Sequence, residues 1–510
     1  MKDLGSRSPI RGFIVGHGGW WSESPFNSPR RGFHMAGAGV DVEELVNFCD
    51  SEWEESIIPS LSEYIRIPAL SPAFDSEWYV NGHIEDAIQH IASWCSEQPI
   101  KGLKLQIIRL EGLTPLIHMH VPGQIDETVL LYQHADKQPE FVGWFEGLGP
   151  WEPVRRGDKL YGRGGADDGY GAYASLTAIR GLQRQGIPHG NLHLIVEASE
   201  ESGSPDLPAY LDHLEETIGV PSVVVCLDSG AGDWEHLWLT TSLRGLVIGT
   251  LSIKVSEQGV HSGDAGGIIP SSFRIARSLL ERMEDSSTGE ILIPEFNVEI
   301  PEQRIEQAKE AAGVMGEEVW KKFPFKGDTR PPSDDLVELI LNRTWRPSLE
   351  VTGVEGIPDM SKAGNVLRTN TDLKLSCRIP AGVDSKKAAE VMKRLLEAEP
   401  PHGADVNFNI EMPADGFHAK PLSPWISEAL DGASRAYFGN PLRFMGEGGT
   451  IPFMPMLQTK YPEAEFMITG LLGPQSNAHG PNEFTHIPCG KAVTACVAQV
   501  LAAHAAHHLP

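Results

Sequence analysis

Residues 169–230 read GYGAYASLTAIRGLQRQGIPHGNLHLIVEASEESGSPDLPAYLDHLEETIGVPSVVVCLDSG, and this stretch decides the fold class. Apolar residues recur at helical spacing over residues 169–185 and stop at Gly186. The strand-like run Leu192–Glu197 follows. A second helix then leads into Ser222–Leu227, which is apolar without alternation, as in a strand covered on both faces. Helices that alternate with buried strands predict an α/β fold with a mostly parallel sheet.

The chain between about Leu239 and His418 has a different pattern. Alternating strands at Val247–Val255 and Asp372–Ile379 occur with helices near Ser271–Met283 and Ser385–Glu397, in an order that is typical of a ferredoxin-like α+β unit. Residues 284–347, with Pro, Lys and Glu throughout, predict an insertion or a long excursion. Helix–strand alternation resumes after residue 421.

Four segments follow from these patterns. Residues 1–40 carry no fold signal and are predicted to be a flexible extension. Residues 41–238 and 419–510 are predicted to form one domain, and residues 239–418 an inserted second domain. At 510 residues, the chain is long enough for two hydrophobic cores.

Composition narrows the possible partners and compartments. The formal net charge of -27 argues against nucleic acid as a partner, because phosphates are neutralised by clustered Lys and Arg. No signal peptide and no apolar run of about 20 residues is evident, so no membrane span is predicted. The six cysteines are scattered without a Cys-x-x-Cys pair, which favours a reducing cytoplasm over a disulfide framework.

Potential metal ligands follow the predicted strands, where the carboxyl ends of parallel strands meet at one rim of a sheet. Taken singly, each has an ordinary interpretation as a surface, turn or helix-capping residue. As a set, two histidines and three carboxylates have the composition of a paired-metal site. The predicted ligands are His134, Asp167, Glu201, Asp228 and His479.

The ligands divide into two groups around one shared carboxylate. Asp167 is the candidate that bridges both ions, with His134 and Asp228 on one and Glu201 and His479 on the other. We expect two divalent metal ions, Zn²⁺ first, although Mn²⁺ and Co²⁺ suit the same ligands.

Two further carboxylates have separate predicted roles. Asp136 lies two residues after His134, on the same side of an extended chain, and can orient the imidazole. Glu200 cannot point at the same metal as its neighbour Glu201. It is therefore the candidate general base, which takes a proton from water and passes it to a leaving nitrogen.

Four segments in this order resemble the aminoacylase, carnosinase and carboxypeptidase G family of co-catalytic metallopeptidases, and above all its carnosinase-like, cytosolic non-specific dipeptidase branch. They are YQHAD at 132–136, LYGRGGADD at 160–168, EASEESGS at 197–204 and NAHGPNE at 477–483. The resemblance implies the same five ligands and the same roles for Asp136 and Glu200. It also implies that the inserted domain is a lid, that two lids form a homodimer, and that the Asp167–Asp168 peptide is cis.

The resemblance also implies residues that contact the substrate. In QGVHSG at 258–263, His261 would stabilise the oxyanion in the partner subunit's site. Residues that match positions holding a substrate's terminal carboxylate are Arg378, Gly448, Gly449 and Thr450, and Asn365 is a further lid candidate. The sequence departs from the family at Gly169, where Lys is usual, and at Lys137, where an apolar residue is usual.

These features predict a hydrolase that cleaves the peptide bond of dipeptides or short peptides. An alternative is an amidohydrolase of N-acyl or N-carbamoyl amino acids on the same site. A non-catalytic binding protein on this fold is a third possibility, although such a chain would be expected to lose Glu200 or a ligand. A serine hydrolase is disfavoured because no Gly-x-Ser-x-Gly elbow follows a predicted strand.

Overall fold

A computed structural model describes residues 37–509. The strands are β1 Lys104–Ile108, β2 Leu116–Val121, β3 Thr128–His134, β4 Val154–Arg156, β5 Lys159–Tyr161, β6 Asn191–Glu197, β7 Pro221–Cys226, β8 Trp238–Leu243, β9 Gly245–Lys254, β10 Val260–His261, β11 Ser348–Glu355, β12 Val366–Leu367, β13 Asn370–Ile379, β14 Asp405–Ala414, β15 Phe417–His418, β16 Arg443–Glu447, β17 Glu465–Ile468 and β18 Phe484–His486.

The α-helices are α1 Val42–Glu52, α2 Ile58–Arg66, α3 Trp78–Asn81, α4 His83–Glu97, α5 Gly171–Gln185, α6 Leu207–His213, α7 Glu215–Ile218, α8 Ser262–Ala265, α9 Ser272–Leu280, α10 Glu302–Met315, α11 Glu318–Lys321, α12 Leu336–Thr344, α13 Ser385–Glu397, α14 Pro424–Tyr437, α15 Phe453–Lys460 and α16 Ile487–His508.

A six-stranded sheet forms the centre of the fold, in the order β1-β2-β6-β3-β7-β17. Strands β6, β3, β7 and β17 are mutually parallel, whereas β1 and β2 add an antiparallel edge. Apolar side chains alternate along β3, so that Leu131 packs into the core on one face and Leu130 into the core on the other. The predicted mixed α/β fold with a mostly parallel sheet is confirmed.

Helices cover both faces of this sheet. One core includes side chains of α1, α2, α4, α5, α14 and α16, and the other includes side chains of α6, α7 and α15. Within residues 37–509, α16 alone has the length and apolar composition to cross a membrane, but 89% of its apolar window is buried. The helix therefore packs as a core element of the fold.

A four-stranded antiparallel sheet lies between β7 and β17 in the sequence, in the order β11-β13-β9-β14. With α9 after β9 and α13 after β13, this is the strand–helix–strand–strand–helix–strand order that the sequence predicts. Residues 284–347, predicted as an insertion or excursion, contain α10, α11 and α12. These helices pack around Trp238 and Met445 in a core of their own.

The predicted N-terminal extension falls mostly on residues 1–36, which lie outside the described residues. The structure begins with a helical turn at Gly37–Gly39, and Val40 is fully buried in the main core. All six cysteines are buried free thiols.

Candidate active site

Five elements bring the predicted ligands to the carboxyl edge of the parallel strands. His134 is the last residue of β3, Glu201 follows β6, and Asp228 follows β7. Asp167 lies in the turn between β5 and α5, and His479 lies in the loop between β17 and β18. Parallel strands end at the same edge, so side chains distant in the sequence converge there.

The five side chains form two groups that share Asp167. Its Oδ1 lies 3.3 Å from His134 Nε2, which is also 3.8 Å from Asp228 Oδ2. Its Oδ2 lies 3.1 Å from His479 Nε2, which is 3.3 Å from Glu201 Oε2. Within each group, the ligand atoms lie within 4.8 Å of one another, which is close enough to hold a metal ion. The nitrogen and oxygen donors suit divalent Zn, Mn or Co.

The protonation of this cluster reflects the charge that is buried in it. Burial and the nearby charge of Asp167 raise the pKa of Glu201 to about 8 and that of Asp228 to about 7. Burial opposes charge on His479, but Asp167 and Glu201 outweigh it and raise its pKa to about 9. Buried carboxylates in this number call for compensating positive charge, and divalent cations supply it.

His134 presents Nε2 to the cluster because its other nitrogen is occupied. Nδ1 donates to the backbone carbonyl of Asp136 at 3.1 Å, whereas the Asp136 carboxylate is 3.5 Å away. That carboxylate instead accepts the backbone N–H groups of Glu200 and Glu201, at 3.1 and 3.0 Å. Asp136 therefore fixes the turn that carries both glutamates, in addition to standing beside the imidazole.

Glu200 is 9% exposed and borders the same cavity as four of the five predicted ligands. Burial and then the Asp228 charge raise the pKa of its carboxyl well above the ordinary value. Asp168 is fully buried, and its two carboxylate oxygens have no hydrogen-bond partner among the described residues. The Asp167–Asp168 peptide is cis, as the family resemblance implies.

A buried ion pair holds the loop of His479. Arg163 and Glu483 are 1% and 0% exposed, and their Nη1 and Oε2 atoms lie 2.5 Å apart. Arg163 Nη2 also donates to Gly480 O at 2.8 Å, and Glu483 Oε1 accepts the Gly164 N–H at 2.9 Å. The pair thus ties the turn before Asp167 to the loop that carries His479, although the two segments are more than 300 residues apart in sequence.

The two departures from the family pattern meet around the Tyr64 ring. A Cβ on Gly169 would overlap this ring, so the position is closed to a side chain. Lys137 Nζ lies 3.9 Å from the ring centroid and donates to Tyr64 O and Ile67 O, both at 2.7 Å. The Lys137 amino group therefore binds carbonyls at the end of α2, although burial lowers the pKa of this lysine well below its usual value.

A cavity of about 430 Å³ opens over the two ligand groups. Three predicted substrate-contacting residues border it, namely Arg378, Gly449 and Thr450. Arg378 Nη1 donates to Thr450 Oγ1 at 2.8 Å, and Thr450 Oγ1 donates to Arg244 O at 2.6 Å. The guanidinium is therefore held on the cavity wall by a hydrogen-bond chain.

The other predicted substrate-contacting residues lie elsewhere. Gly448 does not border the cavity, but its carbonyl accepts a hydrogen bond from Arg244 Nε at 3.2 Å. His261 and Asn365 are exposed and adjacent, because His261 pairs with Val366 across β10 and β12. Neither borders the cavity of its own chain.

Two residues at the site were not predicted from the sequence. Gln138 Nε2 donates to Glu201 Oε2 at 2.6 Å, and its position two residues after Asp136 was the available signal. Glu447 ends β16 and borders the cavity. Its Oε1 occupies the space that a Cβ on Gly230 would need, which brings this carboxylate close to the turn after Asp228. Its position directly before Gly448, itself a predicted substrate-contacting residue, was the available signal.

A parallel sheet that presents two histidine–carboxylate groups around a shared aspartate identifies a candidate metal-dependent enzyme. Residues 130–503 match peptidase family M20/M25/M40, and the chain belongs to this family of metallopeptidases. A cysteinylglycine-S-conjugate dipeptidase of Corynebacterium striatum is 27% identical over 80% of this chain and 89% of its own. The human β-Ala-His dipeptidase is also 27% identical, over 82% of this chain and 84% of the dipeptidase.

Solved structures share the fold. The crystal structure of human carnosine dipeptidase 1 superposes with a TM-score of 0.72 at 20% identity, over 91% of this chain and 99% of that one. The structure of the dipeptidase Dug1p of Saccharomyces cerevisiae superposes with a TM-score of 0.71 at 21% sequence identity. The match covers 91% of this chain and 98% of the Dug1p chain.

Arg163→Met should lower the free energy of unfolding by about 3–5 kcal/mol, because it leaves the Glu483 carboxylate buried without its partner. Urea unfolding followed by tryptophan fluorescence measures the change. Arg155→Met is the matched control, since it breaks an Arg–Glu pair whose side chains are 42% and 34% exposed, and should cost about 1 kcal/mol or less. Equal losses in the two variants would contradict a structural role for the buried pair.

Proposed function

We propose that the protein is a two-metal dipeptidase, in which Glu200 is the general base. The observation that carries this proposal is Asp167, whose two oxygens face two separate histidine–carboxylate groups beside Glu200. A carboxylate shared in this way would serve two divalent ions at once. Under this proposal His134, Asp167, Glu201, Asp228 and His479 bind the metals.

The side chains around the cavity divide the work of amide hydrolysis. Divalent metals in the two groups would polarise the scissile carbonyl, acidify a water molecule and favour ionised carboxylates. Glu200 takes the proton of the attacking water and delivers it to the leaving nitrogen. Asp136 fixes Glu200 through the backbone, and Arg378 binds the carboxylate at the end of the substrate.

Glu200→Gln should lower kcat for dipeptide hydrolysis by about 10²–10⁴, because the amide cannot accept the proton. Elemental analysis of the same preparation should still give two metal ions per chain, since Glu200 is not a proposed ligand. Asp167→Asn should instead lose metal as well as activity. Undiminished hydrolysis by Glu200→Gln would remove this residue from the mechanism, and one metal per chain at full activity would contradict the paired site.

The cavity favours a substrate with a free amine over the N-acyl alternative. Apart from Glu200 and the ligand carboxylates, Glu447 is the one carboxylate among the described residues that border it. Its partner Arg343 is 3.5 Å away, which leaves lone pairs for a second cation. Glu447 can therefore bind the α-ammonium of a dipeptide while Arg378 binds the carboxylate. The dipeptidase names of the two relatives support the same substrate class.

Glu447→Gln should reduce kcat/KM for free dipeptides by about 10–100-fold, because this factor corresponds to the free energy of one hydrogen bond between charged groups. Hydrolysis of the matching N-acetylated dipeptides should change little, because they carry no ammonium. Glu463→Gln, at an 89% exposed carboxylate, is the matched control and should leave both substrate sets unaffected. Native turnover confined to N-acylated substrates would refute the dipeptidase and favour the amidohydrolase.

We further propose that residues 239–418 act as a lid and join two chains in a homodimer. The supporting observation is that His261 and Asn365 are exposed on the second unit and do not border their own cavity. In a dimer, His261 would donate a hydrogen bond to the oxyanion in the partner subunit's site. We also propose a cytoplasmic location, which the six buried free thiols support.

Mixing His261→Ala chains with Glu200→Gln chains tests this shared site. Each variant alone should be poorly active. In a mixed dimer, one site combines an intact Glu200 with the partner's intact His261, so statistical exchange should restore about a quarter of native activity. Refolding the two variants together and assaying dipeptide hydrolysis measures the recovery, and refolding each alone is the control. Absence of recovery in a mixture that contains mixed dimers would show that His261 does not act across the interface.

A further inference from the structure

A second cavity, of about 670 Å³, lies at the opposite end of the central sheet from the candidate active site. Its walls come from the end of α5, the loop at residues 186–190, the turn after α4 and the turn after β2. The parallel strands β3 and β6 begin near these walls and end at the metal-ligand groups. The cavity is therefore separate from the site described above.

The charge of this cavity is opposite to that of the molecule. Lys101, Arg180 and Arg184 border it, and none of its bordering residues is acidic. Arg180 Nη1 lies 2.6 Å from Glu52 Oε2, outside the cavity. In the part of the chain that the structure describes, no carboxylate lies within 4.0 Å of the charged groups of Lys101 or Arg184. Two uncompensated cations thus remain in a protein of net charge -27.

Hydrogen bonds fix the walls before any ligand arrives. Gln183 bonds to the backbone of Lys101 twice. Its Oε1 accepts the backbone N–H of Lys101 at 2.8 Å, and its Nε2 donates to the backbone carbonyl of Lys101 at 3.2 Å. His189 Nδ1 donates to Gly190 O, so its Nε2 accepts from Gln183 and the ring is neutral. A Cβ on Gly123 would overlap the carbonyls of His189 and Gly190, which shows how closely two of the walls meet.

The Phe48 ring contacts both arginines. The guanidinium carbons of Arg180 and Arg184 lie 5.2 and 4.7 Å from the centroid of its ring. Cation–π contacts of this kind orient a guanidinium without neutralising it. The negative end of the α5 dipole also favours Arg184, which lies in the last turn of the helix. The dipole does not explain Lys101, which comes from another segment, or the absence of an acidic group from the cavity wall.

We propose that this cavity binds a small phosphate-bearing anion. Guanidinium and ammonium groups from separate segments together suit a phosphate, which accepts hydrogen bonds from several directions. The volume is sufficient for a mononucleotide, and Pro99, Pro122 and Ile187 provide apolar surface for the body of such a ligand. Free phosphate and a phosphorylated metabolite share this chemistry, and the test separates them.

Isothermal titration calorimetry on the full-length, metal-loaded protein tests the site with ADP, inorganic phosphate and adenosine as probes. ADP should bind, and adenosine, which has no charge, should not. Arg184→Gln and Lys101→Gln should each weaken ADP binding about tenfold by removing one charge-assisted hydrogen bond. Arg274→Gln is the matched control, an exposed arginine on α9 away from the cavity, and should leave the affinity unchanged.

The outcomes are distinguishable. Phosphate that binds as tightly as ADP would identify free phosphate as the ligand, and tighter binding of ADP would identify a phosphorylated metabolite. No heat with either anion, or equal affinity for adenosine and ADP, would overturn the proposal. Binding that is weakened by Asp228→Asn but not by Arg184→Gln would assign the anion to the metal site and also overturn it.

Discussion

Burial of many carboxylates at one edge of a sheet is the constraint on which the rest of the structure depends. Like charges in a water-poor site repel, and each loses its hydration, so the arrangement requires positive charge in the same place. Two histidines, backbone N–H groups and the proposed dications provide it. Asp136 illustrates the point, because its carboxylate accepts the N–H groups of Glu200 and Glu201 and thereby orders the turn that brings them to the cluster. The two groups around Asp167 meet the same requirement, because sharing this residue buries one carboxylate fewer than two separate groups would.

Buried contacts behind the candidate metal ligands bring distant parts of the chain together. His479 reaches the cluster on a loop with a left-handed backbone, at a φ of 63°, and the Arg163–Glu483 pair anchors that loop to the turn before Asp167. Burial outweighs Arg163 and raises the pKa of Glu483 to about 7, so the pair is held by its geometry and its backbone hydrogen bonds as well as by charge. The buried Lys137 amino group adds a further contact, because it donates to the final carbonyls of α2 and packs over Tyr64. Together these contacts place ligands from both ends of the sequence on one rigid edge.

The sequence predicted the parts of the site that follow from strand order and failed where only tertiary contacts decide. Ligands that come directly after buried strands, such as His134 and Asp228, could be predicted because parallel strands end at one edge. Glu447 was missed although it directly precedes the predicted Gly448, because it comes from a strand of a different sheet and reaches the cavity only where Gly230 leaves room. The α/β and ferredoxin-like orders were likewise visible in periodicity. The helices within residues 284–347 were not predicted, because they bury small and scattered apolar residues against Trp238 and show no strong hydrophobic periodicity.

Helix α5 shows how one element can separate two opposite electrostatic environments. It starts directly after the Asp167–Asp168 turn and ends at the cavity bordered by Arg180 and Arg184. Its 15 residues span about 22 Å, so a ligand at one end cannot touch a ligand at the other. The helix dipole matches this arrangement, with carboxylates near its positive N-terminus and Arg184 in the last turn at its negative C-terminus. A strongly acidic chain can therefore keep a local concentration of cations, because the sheet and its covering helix hold the two charge clusters apart by the length of the domain core.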